Sequence, residues 1–249
     1  MLAEERLARI VEMVEREGTA TVTELAGLLD TSESTIRRDL DKLDQAHRLV
    51  KVHGGATTRE SAHITRDLTL TERSGLHDAE KRAIAEHAAG LIGPDDFVYV
   101  DAGTSTEALV SCITETRALY VTDSVSNALK LAARGCRVTV LGGELKSATE
   151  ALVGPDALSS LERYHFTLGF WGANGITPDA GFTTPDRNEA MVKQVSMEHT
   201  ERRYVLSDAS KFGRVGLVSF APFERARVLT AGNVPDAYRS FENVVEVGR

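Results

Sequence analysis

The alternation of strand-like and helix-like segments from about residue 76 onward constrains the fold more than any other feature. Short apolar runs at Phe97–Val100, Leu119–Thr122 and Tyr204–Ser207 are typical of buried strands, and segments with helical apolar spacing lie between them. This order implies right-handed crossovers and a largely parallel sheet. The sequence therefore predicts an α/β domain over residues 76–249.

A smaller, mostly helical unit precedes this domain. Helical spacing of apolar residues predicts a helix over residues 3–17, a second over Val22–Leu29 and a third after a tight turn, within residues 31–41. Residues 48–56 then alternate apolar and polar side chains and end at a glycine pair, which predicts a hairpin. Three short helices followed by a hairpin indicate a winged helix-turn-helix over residues 1–57.

The third helix carries the side chains expected to touch DNA. Ile36, Leu40 and Leu43 hold one face against a core, while small hydroxyls and adjacent arginines occupy the other. Such a face suits the major groove, and a merely solvated charged face is the alternative. The predicted DNA-binding residues are Ser32, Ser34, Thr35, Arg37, Arg38, Lys42, Lys51 and His53.

The formal net charge of −8 is unusual for a DNA-binding protein. Acidic residues outnumber basic ones even in residues 1–57. The acidic residues of the first helix, however, are expected to lie away from the basic residues of the third helix and the hairpin. Local placement governs phosphate contact, so we expect modest affinity per domain and a need for dimerisation.

Residues 58–75 are interpreted as a linker. The first part is polar without strong periodicity, and Ile64 to Arg73 is expected to be extended. A connection of this kind can transmit strain from a ligand site, but a passive tether has the same sequence pattern.

Polar and glycine-rich loops follow four of the predicted strands. They are Asp101–Thr106, Gly142–Leu145, the Gly172–Gly175 turn with the Gly181–Asp186 segment after it, and Ser207–Gly213. Ligands of parallel sheets bind outside the carboxyl ends of the strands. Each loop alone is an ordinary turn or helix cap, and Glu189 with Lys193 is expected to form an i, i+4 ion pair. Four such loops on one edge favour a small, anionic, hydroxyl-rich ligand.

The motifs of both halves resemble those of the DeoR family of bacterial transcription regulators. Arg6, the Val22–Leu29 helix, the Ser34–Leu40 segment and the Val52–Ala56 wing carry the resemblance in the first half, and the four loops carry it in the second. The resemblance implies an N-terminal winged helix-turn-helix and a larger Rossmann-like domain similar to ribose-5-phosphate isomerase and glucosamine-6-phosphate deaminase. It also implies a repressor of a carbohydrate operon that senses a sugar phosphate.

The resemblance assigns roles to individual positions. The Asp101–Thr106 loop would hold the phosphate, and the side chains of the later loops would line the sugar end, with Thr122 and Gly142 flanking the pocket. The predicted effector-binding residues are Asp101, Gly103, Thr104, Ser105, Thr106, Thr122, Asp123, Gly142, Gly143, Asn174, Asp186, Glu189, Lys193, Asp208 and Lys211.

The chain departs from the family pattern in three places. Asp123 stands where asparagine is more common, Thr167 where aspartate is common, and Ala231 where the family often has aspartate. Asp123 would add negative charge near the phosphate site. Two alternatives for the second half remain, namely retained isomerase or deaminase chemistry and a domain that only oligomerises.

The remaining expectations concern partners and location. The expected partners are double-stranded operator DNA, a phosphorylated sugar and further copies of the chain, as a dimer or tetramer. We expect no catalytic residue, no metal and no cofactor. Cys112 and Cys136 stand in no metal-binding motif, and no apolar run is long enough to span a membrane, which favours a cytoplasmic protein.

Overall fold

The computed structural model describes residues 3–17, 19–46, 48–52, 54–57, 63–64, 69–73 and 75–248. In the first half, helices α1 (Ala3–Glu17), α2 (Val22–Leu28) and α3 (Glu33–Gln45) pack beside strands β1 (Thr19–Thr21), β2 (Val50–Val52) and β3 (Gly55–Thr57). The strands form an antiparallel sheet in the order β1-β3-β2. The predicted winged helix-turn-helix is confirmed, and β1 is a strand that the sequence pattern did not indicate.

Side-chain caps explain where the second and third helices begin. Thr21 and Glu24 form a reciprocal capping box at the start of α2. The sequence offers Thr31 or Ser32 as the cap of α3, and the structure uses Ser32, which accepts the Thr35 N–H. These caps fix the turn that separates the two helices.

An ion pair fixes α3 against α1. The Arg6 Nε atom lies 2.6 Å from the Asp39 carboxylate, and only 4% of the Asp39 side chain is exposed. The pair closes one side of a core that includes Ile10, Leu25 and Leu40. The outer face of α3 is thereby held in one orientation.

The connecting residues are not simply extended. Strand β4 (His63–Ile64) is short, and Leu70–Arg73 forms one turn of helix, α4, with a capping box between Thr69 and Glu72. The expectation of an extended segment from Ile64 to Arg73 is therefore wrong for residues 70–73. The Thr69 cap satisfies helix amides locally, which makes this short turn possible.

Among the described residues, the second half contributes to one large sheet and three smaller ones. Its strands are β5 (Phe97–Val100), β6 (Leu119–Thr122), β7 (Arg137–Val140), β8 (Glu144–Lys146), β9 (Ala151–Val153), β10 (Phe166–Gly172), β11 (Gly175–Thr177), β12 (Gly181–Thr184), β13 (Thr200–Asp208), β14 (Val215–Gly216), β15 (Val218–Ala221), β16 (Arg227–Ala231) and β17 (Val244–Glu246). Its helices are α5 (Asp78–Ala89), α6 (Thr104–Cys112), α7 (Val125–Ala133), α8 (Pro155–Leu161), α9 (Arg187–Glu198) and α10 (Asp236–Arg239).

Seven parallel strands form the large sheet, in the order β17-β16-β13-β10-β5-β6-β7. Alternate residues of its central strands enter two separate apolar cores, one containing Tyr99 and Trp171 and the other Val100 and Phe170. The predicted α/β class is confirmed. The three smaller sheets are the three-stranded sheet β11-β12-β15, the antiparallel hairpin of β8 and β9, and the parallel pair of β14 with β4.

The core of the N-terminal domain can be tested with one pair of variants. Leu40 on α3 is fully buried, whereas 69% of Leu28 is exposed. We expect Leu40→Ala to lower the free energy of unfolding by ~2–5 kcal/mol, because a cavity remains. Leu28→Ala should stay within about 0.5 kcal/mol of the parent. Denaturant unfolding followed by circular dichroism measures both, and equal losses would contradict the described packing of α3.

Candidate functional site

The strand order reverses between β5 and β10, and this reversal defines a crevice at the carboxyl ends of the strands. From β5 the chain proceeds outward to β6 and β7, whereas from β10 it proceeds the other way to β13, β16 and β17. Asp101 follows β5 and Gly172 ends β10. The Gly172 N–H donates to Asp101 Oδ2 at 2.9 Å. Such a switch point is where open α/β sheets bind ligands.

Lys193 on α9 closes the crevice from one side. Its ammonium pairs with Asp101 Oδ2, and both side chains are buried. Burial opposes the charge of Lys193, but the nearby carboxylates of Asp101, Glu189 and Asp123 outweigh it and raise the pKa of the lysine. The predicted i, i+4 ion pair between Glu189 and Lys193 is wrong, because Lys193 pairs with Asp101 at the end of β5 instead.

Glu189 is held by the β8–β9 hairpin. Lys146 Nζ lies 3.0 Å from Glu189 Oε1, and the Thr149 hydroxyl donates to the same oxygen. Lys146 also lies 3.2 Å from Asp186, which caps α9 by accepting the Glu189 N–H at 2.9 Å. Lys146 and Thr149 are additions that the sequence pattern did not indicate, because their partners lie about forty positions away.

Asp123 follows β6 and lies in the same buried polar group. Burial, and next the charge of Asp101, raise the pKa of the Asp123 carboxyl well above its ordinary value. Asp101 Oδ1, Asp123 Oδ1 and the Tyr99 hydroxyl are buried and have no hydrogen-bond partner among the described residues. Buried polar atoms are normally paired, so these oxygens are candidates for contact with a polar ligand.

The loop from Asp101 to Thr106 leads into helix α6. Gly103 has φ +145°, a conformation that favours glycine, and it provides no side chain to cap the helix. Thr104 and Ser105 are half-buried, whereas the buried Thr106 hydroxyl donates to the Gly103 carbonyl at 2.9 Å. The first amides of α6 are thus open to an anion, as expected for a phosphate loop.

Four other predicted residues lie around the crevice in supporting positions. Thr122 is fully buried, and its hydroxyl accepts the Ser124 N–H at 3.0 Å, so it braces the turn after β6. Gly142 and Gly143 are exposed, and a Cβ on Gly143 would lie 2.5 Å from the Val153 carbonyl. Asn174 is half-buried in the turn between β10 and β11.

A second polar cluster lies on the other side of β10, at the end of β13. The buried Asp208 carboxylate accepts the Ser210 N–H at 3.0 Å and lies 3.5 Å from Lys211 Nζ. Burial would raise the pKa of Asp208, but Lys211, Ser210 and His77 outweigh it and lower that pKa. His77 Nε2 is 4.0 Å from Asp208 Oδ1.

Lys81 joins this cluster, although sequence reasoning did not select it. Only 6% of Lys81 is exposed, and burial lowers the pKa of its ammonium, partly offset by the charge of Asp208. With Thr104 and Lys130 it lines a cavity of about 430 Å³ between α5, α6 and α7. The helical spacing of the sequence could have indicated this burial, because Lys81 lies on the same face of α5 as the buried residues Ile84, Ala85 and Ala88.

The predicted DNA-reading residues of α3 mostly face solvent. Ser32 and Ser34 are exposed and Thr35 is half-buried, and the hydroxyls of Ser34 and Thr35 lie 3.0 and 2.9 Å from that of Ser32. Arg38 and Lys42 are exposed, with no ion pair among the described residues. These five side chains present donors along one surface of the helix.

Two of the predicted cations are already paired with carboxylates. Arg37 lies 2.8 Å from Glu33, and Lys51 of the wing pairs with Asp41 of α3. The Lys51 N–H also donates to Asp44 at 3.1 Å, which ties the wing to α3. His53 lies outside the described residues. A phosphate that contacts Arg37 or Lys51 thus competes with an internal carboxylate.

Two of the departures from the family pattern lie away from the buried polar group. Thr167 is at the amino end of β10, where its hydroxyl donates to Asp96 at 2.7 Å and accepts the Phe97 N–H. Ala231 is buried at the end of β16. Of the three positions that differ from the family pattern, Asp123 is therefore the one that adds a carboxyl group to the crevice.

Comparison with known families assigns both halves. Residues 6–62 match the DeoR-like helix-turn-helix domain, and residues 76–232 match the DeoR C terminal sensor domain. The chain belongs to the DeoR family. The predicted function class of this DeoR-family protein, a DNA-binding transcriptional regulator, is thereby confirmed.

Relatives of this DeoR-family chain match over nearly its whole length. The transcriptional regulator FruR of Bacillus subtilis is 37% identical over 231 residues, covering 92% of this chain and 91% of the relative. GlpR of Haloferax volcanii is 34% identical, covering 95% and 92%. The lactose phosphotransferase system repressor of Staphylococcus epidermidis is 32% identical, covering 98% of both.

The chain has a distant likeness to a solved structure. Ribose 5-phosphate isomerase A from Methanocaldococcus jannaschii overlaps 53% of each chain with a TM-score of 0.40 and 12% identity. The fold class of the DeoR-family chain rests instead on its parallel strand order.

The described part of this DeoR-family protein contains no helix that is long and apolar enough to cross a membrane. Across the same residues, no cluster of three or more histidine, cysteine, aspartate or glutamate side chains is arranged to hold a metal ion.

The protonation of Asp123 can be tested through the pH dependence of stability. A carboxyl whose pKa is raised on folding reduces stability as the pH rises above its unfolded value of about 4. Asp123→Asn should therefore raise the melting temperature at neutral pH, and the gain should shrink as the pH falls to about 4.

Asp208→Asn is the matched control, because the pKa of Asp208 is lowered on folding whereas that of Asp123 is raised. The lowered pKa of Asp208 gives stability that is present above the unfolded pKa and lost as the pH falls through the folded pKa. Asp208→Asn should therefore lower the melting temperature at neutral pH. A loss at neutral pH for Asp123→Asn as well would contradict the assignment of a proton to Asp123.

The DNA-reading surface can be tested at Arg38. We expect Arg38→Ala to weaken binding to an operator selected from random DNA by ~1–3 kcal/mol and to relax sequence preference, if the guanidinium reads a base. Fluorescence anisotropy against selected and scrambled duplexes measures both quantities. Arg9→Ala on α1 is the control, and equal losses for the two variants would remove Arg38 from the reading surface.

Proposed function

We propose that this DeoR-family regulator represses a carbohydrate uptake or catabolism operon and that a phosphorylated sugar relieves the repression. The observation that carries the proposal is the buried polar group at the switch point. It combines unpaired carboxyl oxygens with a neighbouring helix terminus and lysines that suit an anion. Binding to this group and binding to DNA would be linked.

The phosphate end of the ligand fits the amino terminus of α6. The uncapped amides after Gly103 offer donors and the positive end of the helix dipole. Lys81, Arg82 and Thr104 line the adjacent cavity of about 430 Å³, a volume within the range of small-molecule sites. Asp78 and Glu107 line it as well, and Glu107 pairs with Lys130. Lys211 supplies a further cation beside Asp208. These groups together favour a phosphate ester over a neutral sugar.

The sugar end fits the switch point. Asp101 Oδ1 and Asp123 Oδ1 have no partners among the described residues. A carboxylate accepts and a protonated carboxyl also donates, and sugar hydroxyls can do both. The second Asp101 oxygen is occupied by Lys193 and the Gly172 N–H. A carboxylate that already accepts from an ammonium and a backbone N–H is better suited to binding a ligand than to abstracting a proton. This arrangement of Asp101 favours sensing over isomerase chemistry.

The names of relatives support a carbohydrate operon. One relative is a lactose phosphotransferase system repressor, and another, from Escherichia coli O157:H7, is a putative aga operon transcriptional repressor, 32% identical over 86% of this chain. Carried to this chain, the names favour repression of a sugar operon. They do not select one sugar.

On DNA, we propose that a dimer or tetramer places two α3 helices in successive major grooves. Half-sites would then lie ~34 Å apart or at multiples of that distance. Paired domains would compensate for the few free cations on each α3. The operator is accordingly expected to be repeated or palindromic.

The effector proposal is tested by thermal unfolding. The panel is fructose 1-phosphate, glucose 6-phosphate, tagatose 6-phosphate and glycerol 3-phosphate, each with its unphosphorylated parent. A ligand that binds the native state stabilises it by ~2.7 kcal/mol at a hundred times its Kd. We expect one ester, and not its parent, to raise the melting temperature.

Lysine variants locate the bound phosphate. Lys211→Met should abolish the shift and Lys211→Arg should retain most of it, because the arginine keeps the charge. Lys42→Met on α3 should leave the shift unchanged. Protein that binds selected DNA but responds to none of the esters would contradict the proposed effector class.

A further inference from the structure

The residues that join the two domains contact both clusters of the candidate site. We define the strap as the described connecting residues His63–Ile64 and Thr69–Arg73. We propose that the strap couples effector binding to DNA binding. The groups that bind the effector hold the strap against the sensor domain, and phosphate binding at Lys81 releases it. This inference rests on the proposed sugar-phosphate function.

The first contact is made by Lys81 itself. Its Nζ donates to the Arg73 carbonyl, the last residue of α4, at 2.9 Å. The same buried lysine lines the cavity beside Thr104. A phosphate is a charged acceptor and forms a stronger hydrogen bond with an ammonium than a neutral carbonyl does. Phosphate at the start of α6 would therefore compete with the Arg73 carbonyl for the Lys81 ammonium and weaken this contact.

The second contact is made by the β8–β9 hairpin. The Leu70 N–H, at the start of α4, donates to the Ala148 carbonyl at 3.0 Å. Ala148 lies between Lys146 and Thr149, the two residues that hold Glu189. A ligand that rearranges the Glu189 cluster would move the acceptor of the Leu70 amide.

The third contact follows the Lys211 loop. Val215 and Gly216 of β14 pair in parallel with His63 and Ile64 of β4. Gly216 is anchored in turn, because its N–H donates to the Thr183 hydroxyl at 2.7 Å. The strap is thus paired with a strand that begins only four residues after Lys211.

The wing itself contacts the same loop. A Cβ placed on Gly213 would lie 3.2 Å from the Cβ and Cγ1 atoms of Val52 on β2, so the wing packs closely against the loop between Lys211 and β14. The docked strap and this contact fix the winged domain relative to the sensor domain. Release of the strap would change the spacing of paired α3 helices, which DNA half-sites require to be fixed.

Leu70→Pro tests the strap without any ligand. Proline lacks the N–H that donates to Ala148, but it is well tolerated at the first position of a helix. Leu70→Ala keeps the N–H and is the matched control for the lost side chain. In the full-length protein, we expect Leu70→Pro to bind selected operator about five-fold more weakly than Leu70→Ala, the factor for one net hydrogen bond of ~1 kcal/mol. Equal affinities of the two variants would overturn the strap proposal.

Hydrogen–deuterium exchange tests the role of Lys81. In inorganic phosphate, compared with chloride at equal ionic strength, the amides of residues 69–73 should exchange several-fold faster. Unchanged or slower exchange, in protein whose melting temperature phosphate raises, would overturn release while leaving the proposed function intact. No stabilisation by phosphate or by any sugar phosphate would count against the proposed function and the Lys81 step together. The Leu70 variants would still decide whether the strap matters for DNA binding.

Discussion

The buried contact of Asp101 with Lys193 and Gly172 is the interaction on which the sensor domain depends. A parallel sheet whose strand order reverses leaves a gap between two neighbouring strands at their carboxyl ends. Asp101 spans that gap by accepting the Gly172 N–H from β10 and pairing with Lys193 from α9. Removing one member of a buried pair leaves an uncompensated charge, which commonly costs ~3–5 kcal/mol. The position of α9, and of Glu189 on it, follows from this contact.

The charge balance of the crevice follows from the same contact. Asp101 and Asp123 share one nearby ammonium, and Glu189 has its own partner in Lys146. Two buried carboxylates beside one cation favour retention of one proton by the pair, and burial raises the pKa of both Asp101 and Asp123. A protonated Asp123 resembles the asparagine that is more common in the family, in both shape and neutrality.

Local patterns were sufficient to predict most elements. Strands such as Phe97–Val100, helix α3 and its Ser32 cap depend on residues within a few positions of each other. The four loops were predicted to share one sheet edge because parallel topology places strand ends together. These signals are contained in short windows of sequence, and the structure confirms the strands and the helix named here. The predicted loops are only partly loops, because Glu144–Lys146 is strand β8 and Gly181–Thr184 is strand β12, both paired with neighbouring strands.

Features that depend on distant partners could not be predicted in this way. Glu189 and Lys193 have the spacing of an i, i+4 pair, but each has a buried partner from another element, which excludes that pairing. The β8–β9 hairpin and strand β1 are too short for periodicity to reveal. Lys81 is a charged residue in the apolar phase of α5, and a single sequence does not show whether such a residue is buried. Which residues contact effector and DNA remains a prediction.

The ion pairs on the DNA-facing surface have a consequence for how the regulator searches a genome. Non-specific binding to DNA is driven by release of counterions when protein cations neutralise phosphates. Where Glu33 and Asp41 already neutralise Arg37 and Lys51, fewer counterions are released by a chance encounter. The carboxylates also repel a phosphate backbone that offers no compensating base contacts. An acidic winged domain of this kind would spend less time on random sequence, so a larger fraction of its copies would be available for the operator.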